Sequence, residues 1–385
     1  MKMDLHAILC HTLGPYHTAR YAALARLRDD FVVIELASEQ SSHSWKSDKA
    51  NLPFQVISLH EGVLQEIPPG VYSRELMKVL DRMRPASVVS LSYYEPYMRA
   101  AAIWARKHGA ASIMMNDSWE GDKRRNIALE TMKSAWCRWA YDGAMVAGIR
   151  TAQYVQKLGI PERRIWRGLD IVDNAYFAVG AKAARDHHVE LREALNLPEK
   201  YFLGIFRLIP QKNIPRLLLA YQTYLRHGGD WDLVMVGGGA EEAQIRRLSG
   251  EVAGSKIHVL NWKSYEELPA YYGLASGFIL PSISESWGLV VNEAMASELP
   301  VLVSTKCGCQ PELCLRGING FDFDPYSVND MATSMIKLSS LNSGSLWKMG
   351  AASEAIIHNY SPDTMALSLS DCLDTVKCRR SAFKR

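Results

Sequence analysis

The hydrophobic residues of this chain form short continuous runs, which alternate with segments whose apolar residues follow helical spacing. In the first half, segments such as SRELMKVLDRMR and EPYMRAAAIWARKH have the helical pattern. The apolar runs of this half are DLHAILC, FVVIELA, FQVISL, SVVSLS, ASIMM and GAMVAG. Alternation of this kind predicts a parallel sheet with helices on both faces.

A second series of the same kind follows the polar, helix-prone segment 173–200. Its apolar runs are YFLGIF, WDLVMV, KIHVL, GFIL and PVLVS, separated by helical segments such as IPRLLLAYQTYL. We therefore predict an α/β protein with two Rossmann-like domains, joined near residues 173–195 and facing each other across a cleft. Ligands of open α/β sheets bind beyond the carboxyl ends of the strands, so the substrate is expected in this cleft.

Composition and charge favour an ordered globular protein and argue against a nucleic-acid-binding or secreted one. The 385 residues are 48% hydrophobic and 22% charged, which is typical of an ordered chain that can bury two cores. The net charge of +3 is small for this length and argues against a nucleic-acid partner. The apolar run of the N-terminus is too short for a signal peptide, and the odd number of cysteines, seven, fits a reducing compartment. Together these features predict a cytoplasmic protein.

Basic residues cluster in two places. Lys123, Arg124 and Arg125 precede a helical segment with Trp136 and Trp139, and the tail 377–385 carries positive charges only. A solvated face and a frayed end are the favoured interpretation. Peripheral contact with the anionic inner leaflet of a membrane is the alternative.

Three motifs at the predicted strand ends of the second half point to an anionic ligand. In FRLIPQKN, Arg207 follows a strand and Lys212 comes five residues later. An arginine fork and a lysine point charge suit a ligand with more than one negative charge, such as a diphosphate. Two ordinary surface cations at a loop are the alternative.

The second motif is the glycine run of VMVGGGAEEAQI, residues 237–239. It follows a strand and opens a helix, but it lacks the full spacing of a dinucleotide fingerprint. We interpret it as a tight turn that allows close packing, with direct phosphate binding as the alternative.

The third motif is SESWGLVVNEAM, in which Glu285 and Glu293 lie eight residues apart. Gly288 permits a tight turn, and a helix is predicted from about Leu289 to Ser297. The free amides of residues 286–290 would then favour a diphosphate at the helix start. Carboxylates accept paired hydrogen bonds from neighbouring hydroxyls, so each glutamate is expected to bind one sugar ring of a nucleotide-sugar.

These motifs resemble those of retaining, GT-B-fold glycosyltransferases of family 4, also called group 1 glycosyltransferases. SESWGLVVNEAMASELPVLVS resembles the family's E-x7-E segment, FRLIPQKN its R-x4-K motif and VGGGAEE its glycine loop. GCQPEL and NGFDFDP are similar to the segments that follow, so the resemblance covers most of residues 200–330. The donor-binding residues that it implies are Arg207, Lys212, Gly238, Trp262, Glu285, Trp287, Gly288, Leu289 and Glu293.

The resemblance also implies that one domain binds the acceptor and the other binds the donor. Residues 1–175 would form the acceptor-binding domain and receive a C-terminal helix at about 360–378, while residues 196–359 would bind the donor. The first half departs from the family pattern, because its first loop reads HTLGPYHTARY and Asp117 stands where a histidine is common. Gly14, His17, Thr18 and Arg20 are the candidates for the acceptor side. For His17, a helix-start residue without a catalytic role is an equal alternative.

The expected reaction is hexosyl transfer from a nucleotide-diphosphate-sugar, with UDP as the expected nucleotide, to a saccharide, lipid-linked or small-molecule acceptor. Glu285, Arg207, Lys212 and Asp117 are the candidate catalytic residues. The family's proposed mechanism is same-face attack, with retention. No cofactor or metal is expected, because cations and a helix dipole hold the diphosphate, and 322–324 is interpreted as a turn rather than a metal-binding DxD. A sugar-nucleotide epimerase of the same architecture and a non-catalytic nucleotide-sugar binding protein are the alternatives.

Overall fold

A computed structural model describes residues 4–39, 49, 51–253 and 256–382, with side chains to residue 376 other than that of Ala253. The basic tail 377–385 therefore lies outside the described side chains. The chain divides into two compact units. The first comprises Met1–Glu120, Arg124–Val172 and Ser361–Arg385, and the second comprises Gly121–Lys123 and Asp173–Tyr360.

Each unit is built on one parallel sheet. The sheet of the first unit has seven strands in the order β3-β2-β1-β4-β5-β6-β7, and that of the second has six in the order β10-β9-β8-β11-β12-β13. The strands of the first sheet are β1 His6–Cys10, β2 Phe31–Glu35, β3 Gln55–Ser58, β4 Ser87–Ser90, β5 Ala111–Asn116, β6 Gly143–Val146 and β7 Ile165–Arg167. Those of the second are β8 Tyr201–Ile205, β9 Asp232–Val236, β10 Ile257–Leu260, β11 Gly277–Leu280, β12 Val301–Ser304 and β13 Gly320–Phe323.

Helices connect the strands. Those before the second sheet are α1 Pro15–Ala25, α2 Pro69–Met83, α3 Pro96–His108, α4 Ile127–Ala140, α5 Ile149–Lys157, α6 Asn174–Asp186 and α7 His188–Leu195. Those that follow are α8 Ile214–Arg226, α9 Glu242–Ala253, α10 Leu268–Leu274, α11 Leu289–Ala296, α12 Gln310–Leu313, α13 Val328–Ser339, α14 Ser343–Ile357 and α15 Pro362–Ala382. The last helix, α15, packs in the first unit, where Arg28 of the loop after α1 bonds to Asp374 at 3.3 Å.

The prediction of two parallel sheets with interleaved helices is confirmed, and every predicted apolar run contains a strand. Two strands were missed. The first, β7, has three residues and no buried position, and the second, β13, alternates polar and apolar residues. The interpretation of 322–324 as a turn is therefore wrong, because Asp322 and Phe323 lie in β13. Both missed strands are at a sheet edge, where one side is unpaired and a continuous apolar run is not required.

The strand order of each sheet reverses at one point. In the second unit this point lies between β8 and β11, and in the first between β1 and β4. Neighbouring strands whose connections leave in opposite directions open a crevice at their carboxyl ends, where ligands of such sheets bind. The loops after β8 and β11 carry Arg207, Lys212 and Glu285, and the loop after β1 carries Gly14.

Candidate nucleotide-sugar site

Backbone and side-chain hydrogen bonds join the loops that follow β8 and β11. The amide of Ile283 donates to the carbonyl of Gln211 at 2.9 Å. The side-chain amide of Asn213 donates to the carbonyls of Pro281 at 3.2 Å and Pro325 at 2.8 Å. Asn213 is buried and has a left-handed backbone with φ of +59°, which asparagine tolerates better than most residues. The two loops therefore hold their candidate residues in a fixed relation.

The glycine loop after β9 supports the backbone on either side of Arg207. Gly237 has φ of +153°, and a Cβ there would lie 2.0 Å from the carbonyl oxygen of Phe206. A Cβ on Gly239 would lie 2.6 Å from the carbonyl oxygen of Leu208, whose amide donates to Gly238 at 2.9 Å. The glycines thus form a tight turn, and the segment that packs close to it is the loop after β8. Direct phosphate binding by this turn stays a prediction.

Arg207 itself is exposed at the end of β8. Among the described residues, none forms an ion pair or hydrogen bond with its guanidinium group. An exposed arginine whose backbone is held in place can bind an anion through the parallel N–H groups of its guanidinium, because no internal partner must first be displaced.

Lys212 occupies a different environment from Arg207. It ends a 3₁₀ turn at Pro210–Lys212, its side chain is 12% exposed, and its ammonium group forms an ion pair with Glu285. The Ser282 hydroxyl donates to the same carboxylate at 3.2 Å. The structure therefore joins two sequence-predicted residues from separate motifs, and this pair fixes the orientation of Glu285.

The start of α11 has the geometry that the sequence predicts. The helix begins at Leu289 after Gly288, whose φ of +117° is left-handed, and it ends at Ala296, one residue before the predicted end. A Cβ on Gly288 would lie 3.1 Å from the Leu280 side chain, so this turn favours glycine. The eight-residue helix presents its first amides, including that of Leu289, beyond the carboxyl end of β11.

The loop after β12 forms hydrogen bonds to the turn that precedes α11. Amides of that loop, Gly308 and Cys309, donate to the carbonyls of Glu285 and Trp287, each at 3.1 Å. The Trp287 indole is 2% exposed and donates to the side chain of Asn292 at 3.0 Å. Trp287 can therefore serve the site through its backbone, while its ring packs in the core.

Glu293 lies inside the protein rather than on its surface. It is 1% exposed, and its carboxylate accepts a hydrogen bond from the Tyr272 hydroxyl at 2.7 Å. The pKa of Tyr265 is raised by burial and by the negative charge of Glu293, which places a second tyrosine near the carboxylate. Sequence reasoning missed Tyr272, since nothing in the segment LPAYYGL distinguishes a core tyrosine from one that orients a carboxylate.

If Glu293 binds the donor, as its motif implies, replacing Tyr272 with Phe is expected to raise the donor KM about tenfold while changing kcat little, because Glu293 would lose the hydrogen bond that orients it. Steady-state kinetics with varied donor would measure this. Tyr201→Phe is the matched control, since it removes another buried hydroxyl of this unit, one that donates to the Tyr271 carbonyl at 2.9 Å. If Tyr272→Phe leaves the donor KM unchanged and lowers stability as the control does, then Tyr272 contributes to packing and does not orient Glu293.

The remaining donor candidate, Trp262, follows β10 and is 50% exposed. Its neighbour Asn261 accepts a hydrogen bond from Arg246 at 2.7 Å. In the sheet order, β10 is separated from β8 by β9, so Trp262 lies toward the edge of the second sheet rather than at the point where the strand order reverses.

Three acceptor-side candidates form the start of α1. Gly14 is the residue before the helix, and its amide donates to Nδ1 of His17 at 3.3 Å. The Thr18 hydroxyl donates to the Gly14 carbonyl at 3.2 Å. His17 therefore has the helix-start role that the sequence left open as an equal alternative. Its involvement in acceptor binding stays a prediction.

Arg20 is buried among structural partners. Its guanidinium donates to the carbonyl of Ile171 through two nitrogens, at 3.0 and 2.6 Å, and lies 3.9 Å from the carboxylate of Asp170. Burial, with a further contribution from the charge of Asp117, raises the pKa of Asp170 to about 7. The structure thus brings Asp117, after β5, near a second carboxylate, after β7, that sequence reasoning missed.

This raised pKa predicts how stability depends on pH. Between the ordinary value of 3.8 and about 7, Asp170 keeps its proton in the folded state and loses it in the unfolded state. The free energy of unfolding should therefore fall as pH rises through this window, by up to ~1.4 kcal/mol per pH unit. Asp170→Asn removes the titrating group, so chemical denaturation across the window should show a smaller decline. Parallel pH profiles for the two proteins would contradict the assignment.

The structure gives the DxD-like segment a structural role. Asp322 accepts a hydrogen bond from Arg316 at 2.7 Å, and Asp324 accepts one from the amide of Tyr326 at 2.9 Å. In the part of the chain that the structure describes, no group of three or more His, Cys, Asp or Glu residues is placed to hold a metal ion.

The fold is that of the GT-B class. Solved structures that superpose over nearly the whole chain include Anabaena HepE in complex with UDP and glucose, with a TM-score of 0.74, 13% identity, and coverage of 97% of this chain and 100% of that chain. Sucrose-phosphate synthase from Thermosynechococcus elongatus has a TM-score of 0.73 and 16% identity, with the same coverage. At these identities the similarity establishes the fold alone.

Sequence comparison finds relatives that are more similar to this chain than the solved structures are, and it matches the second half of the chain to a family model. Residues 190–354 match the family model for group 1 glycosyl transferases. Over 195 residues, the chain is 30% identical to the GDP-mannose-dependent alpha-(1-6)-phosphatidylinositol monomannoside mannosyltransferase of Mycobacterium tuberculosis, covering 48% of this chain and 50% of the relative. Over 185 residues it is 24% identical to the alpha-D-kanosaminyltransferase of Streptomyces kanamyceticus, covering 48% and 47%. The matched region thus spans about half the length of these curated relatives.

Proposed function

We propose that this chain is a retaining glycosyltransferase that moves a hexose from a nucleotide-diphosphate-sugar to a hydroxyl group of a saccharide, a lipid-linked saccharide or a small molecule. One observation carries the proposal. Arg207, the Lys212–Glu285 pair and the start of α11 lie on two hydrogen-bonded loops at the point where the strand order of the second sheet reverses.

In this proposal the diphosphate binds at the start of α11. The amides that follow Gly288 donate to its oxygens, and the helix dipole adds a favourable field. Arg207 supplies two further donors from the neighbouring loop. Negative charge grows on the diphosphate as the sugar leaves, so these fixed donors stabilise the transition state more than the bound donor.

The two glutamates bind the rings on either side of the diphosphate. Glu285, held by Lys212 and Ser282, accepts hydrogen bonds from the hydroxyls of the transferred sugar. Glu293, held by Tyr272, accepts them from the ribose. Binding of the donor would bring diphosphate oxygens within reach of Lys212, which then serves both the phosphate and Glu285.

Transfer proceeds on one face of the sugar. The bond from the anomeric carbon to the diphosphate breaks, the acceptor oxygen bonds to the same face, and a diphosphate oxygen takes the acceptor proton. No cofactor takes part in this proposal. The protein's cations and amides stabilise the negative charge of the diphosphate, as a metal ion does in other transferases. Asp117 is the candidate that assists on the acceptor side, together with the loop of Gly14, His17 and Thr18.

The named relatives support the donor class. The solved structures of Anabaena HepE contain UDP or UDP-glucose, and the mycobacterial relative is named as GDP-mannose-dependent and as acting on a phosphatidylinositol mannoside. We propose UDP as the nucleotide and a lipid-linked or free saccharide as the acceptor, with GDP-sugars as the next candidate.

The test is incubation of the purified protein with labelled UDP-, GDP- and ADP-sugars without added acceptor. A transferase slowly releases free sugar by transfer to water, and a retaining one releases it with the anomeric configuration of the donor. Epimerised nucleotide-sugar would instead indicate the GT-B epimerase. Binding without turnover, even with saccharide acceptors present, would favour a nucleotide-sugar binding protein.

A further inference from the structure

The outer surface of α4 is apolar where a surface helix is normally polar. Ala128, Met132, Ala135 and Trp139 are all exposed, and we call them the outer ridge; the polar residues Thr131 and Arg138 are exposed beside it. Met132 is 69% and Trp139 46% exposed. They recur at the spacing of one helix face, opposite the buried Cys137.

This helix differs from the others in how much apolar surface it exposes. Ile127 and Leu129 at its start are 86% and 55% exposed, so that α4 has four exposed large apolar side chains. Every other helix of the described chain that exposes such a side chain exposes one. Single exposed apolar residues are ordinary, but a cluster on one helix marks an interaction surface.

Positive charge borders the outer ridge. The segment 123–140 contains five lysines and arginines and one glutamate. Among the described residues, Arg124 and Arg138 have no ion-pair partner, and the guanidinium of Arg106 lies 5.6 Å from the centre of the Trp139 ring. Three ion pairs reduce this charge, since Lys133 and Arg125 pair with Glu130 at 2.7 and 3.6 Å and Arg106 lies 3.8 Å from Asp142.

We propose that the outer ridge of α4 docks the protein onto an anionic lipid surface. Met132 would enter the boundary between headgroups and acyl chains, with Ile127 and Leu129 on either flank of the ridge at its start, and Trp139 would lie at headgroup level. Arg124 and Arg138 would contact the lipid phosphates. A second copy of the chain is the less fitting occupant, since the cations that border the ridge would then face one another. Among the described residues, no helix has both the length and the apolar character of a membrane span.

This inference is independent of the proposed transfer, because vesicle binding needs no donor or acceptor. The experiment is sedimentation of the full chain with vesicles of phosphatidylglycerol and phosphatidylcholine in equal parts, compared with vesicles of phosphatidylcholine alone. We expect binding to the anionic vesicles that weakens as salt is raised. Met132→Ser with Trp139→Ser should weaken it about tenfold or more, because two apolar side chains no longer enter the interface.

Matched variants make the result specific. Val179→Ser with Trp347→Ser removes two apolar side chains of α6 and α14 that are at least as exposed as Met132 and Trp139, and it should leave vesicle binding unchanged. Arg124→Glu with Arg138→Glu should abolish the preference for anionic vesicles. Absence of vesicle binding by the wild type, or equal loss in the control and the ridge variant, would overturn the proposal. So would a dimer, detected by light scattering, that only the ridge variant dissociates.

Discussion

Replacing Glu285 with Ala is expected to lower kcat for sugar transfer by about 10²–10³-fold or more while leaving the affinity for UDP nearly unchanged. The carboxylate is assigned to the hydroxyls of the transferred sugar, which UDP lacks. Steady-state kinetics for transfer, together with calorimetric titration of UDP, would separate the two effects.

Removal of Glu285 also leaves Lys212, whose side chain is 12% exposed, without its ion-pair partner. Some loss of stability is therefore expected, and Glu285→Gln, which keeps the volume and a hydrogen-bond acceptor, is the second variant. Glu251→Gln on the exposed face of α9, where Glu251 pairs with Arg247 at 2.9 Å, is the matched control. If both Glu285 variants fold and transfer sugar as fast as this control, Glu285 does not bind the transferred sugar.

Replacing Arg207 with Ala is expected to weaken both UDP binding and transfer. Loss of a charge-assisted fork at the diphosphate should raise the Kd for UDP about tenfold to a hundredfold, and kcat should fall as well, because charge grows on the diphosphate in the transition state. Stability should change little, since Arg207 is exposed. Arg207→Lys should recover part of the affinity, through charge without the planar fork.

Arg247→Ala is the control for Arg207→Ala, because it removes an exposed arginine from the same unit. Calorimetry with UDP and with uridine gives the sharper comparison, since only UDP carries the diphosphate. An Arg207→Ala protein that binds UDP as tightly as the Arg247→Ala control would remove Arg207 from the donor site. Equal losses for UDP and uridine would indicate a general distortion of the site instead.

The sequence predicted those features of the fold that depend on local pattern. Continuous apolar runs marked the interior strands and the edge strands β3 and β10, and a glycine marked the left-handed turn at Gly288 that opens α11. Of the four edge strands, β7 and β13 were missed because one is very short and the other alternates polar and apolar residues. Such short strands form because they hydrogen-bond to a neighbouring strand. The local sequence does not show which strand that neighbour is.

Contacts between distant residues could not be predicted from one sequence. Lys212 and Glu285 are 73 residues apart, and Arg20 and the Ile171 carbonyl are 151 residues apart. Each residue type was recognised as chemically suitable, but its partner depends on which strands are neighbours in the sheet. For the same reason Lys212 was expected to face a ligand directly, whereas it also orients Glu285. Tyr272 and Asp170 were missed because their importance comes entirely from the carboxylates beside them.

A crystal structure of the protein with UDP or a UDP-sugar would show directly where the nucleotide binds. We expect the diphosphate to lie against the first amides of α11, within hydrogen-bond distance of Arg207, with Glu293 on the ribose and Glu285 toward the sugar. A nucleotide bound in the first unit, or a diphosphate that contacts neither Arg207 nor the start of α11, would contradict this expectation.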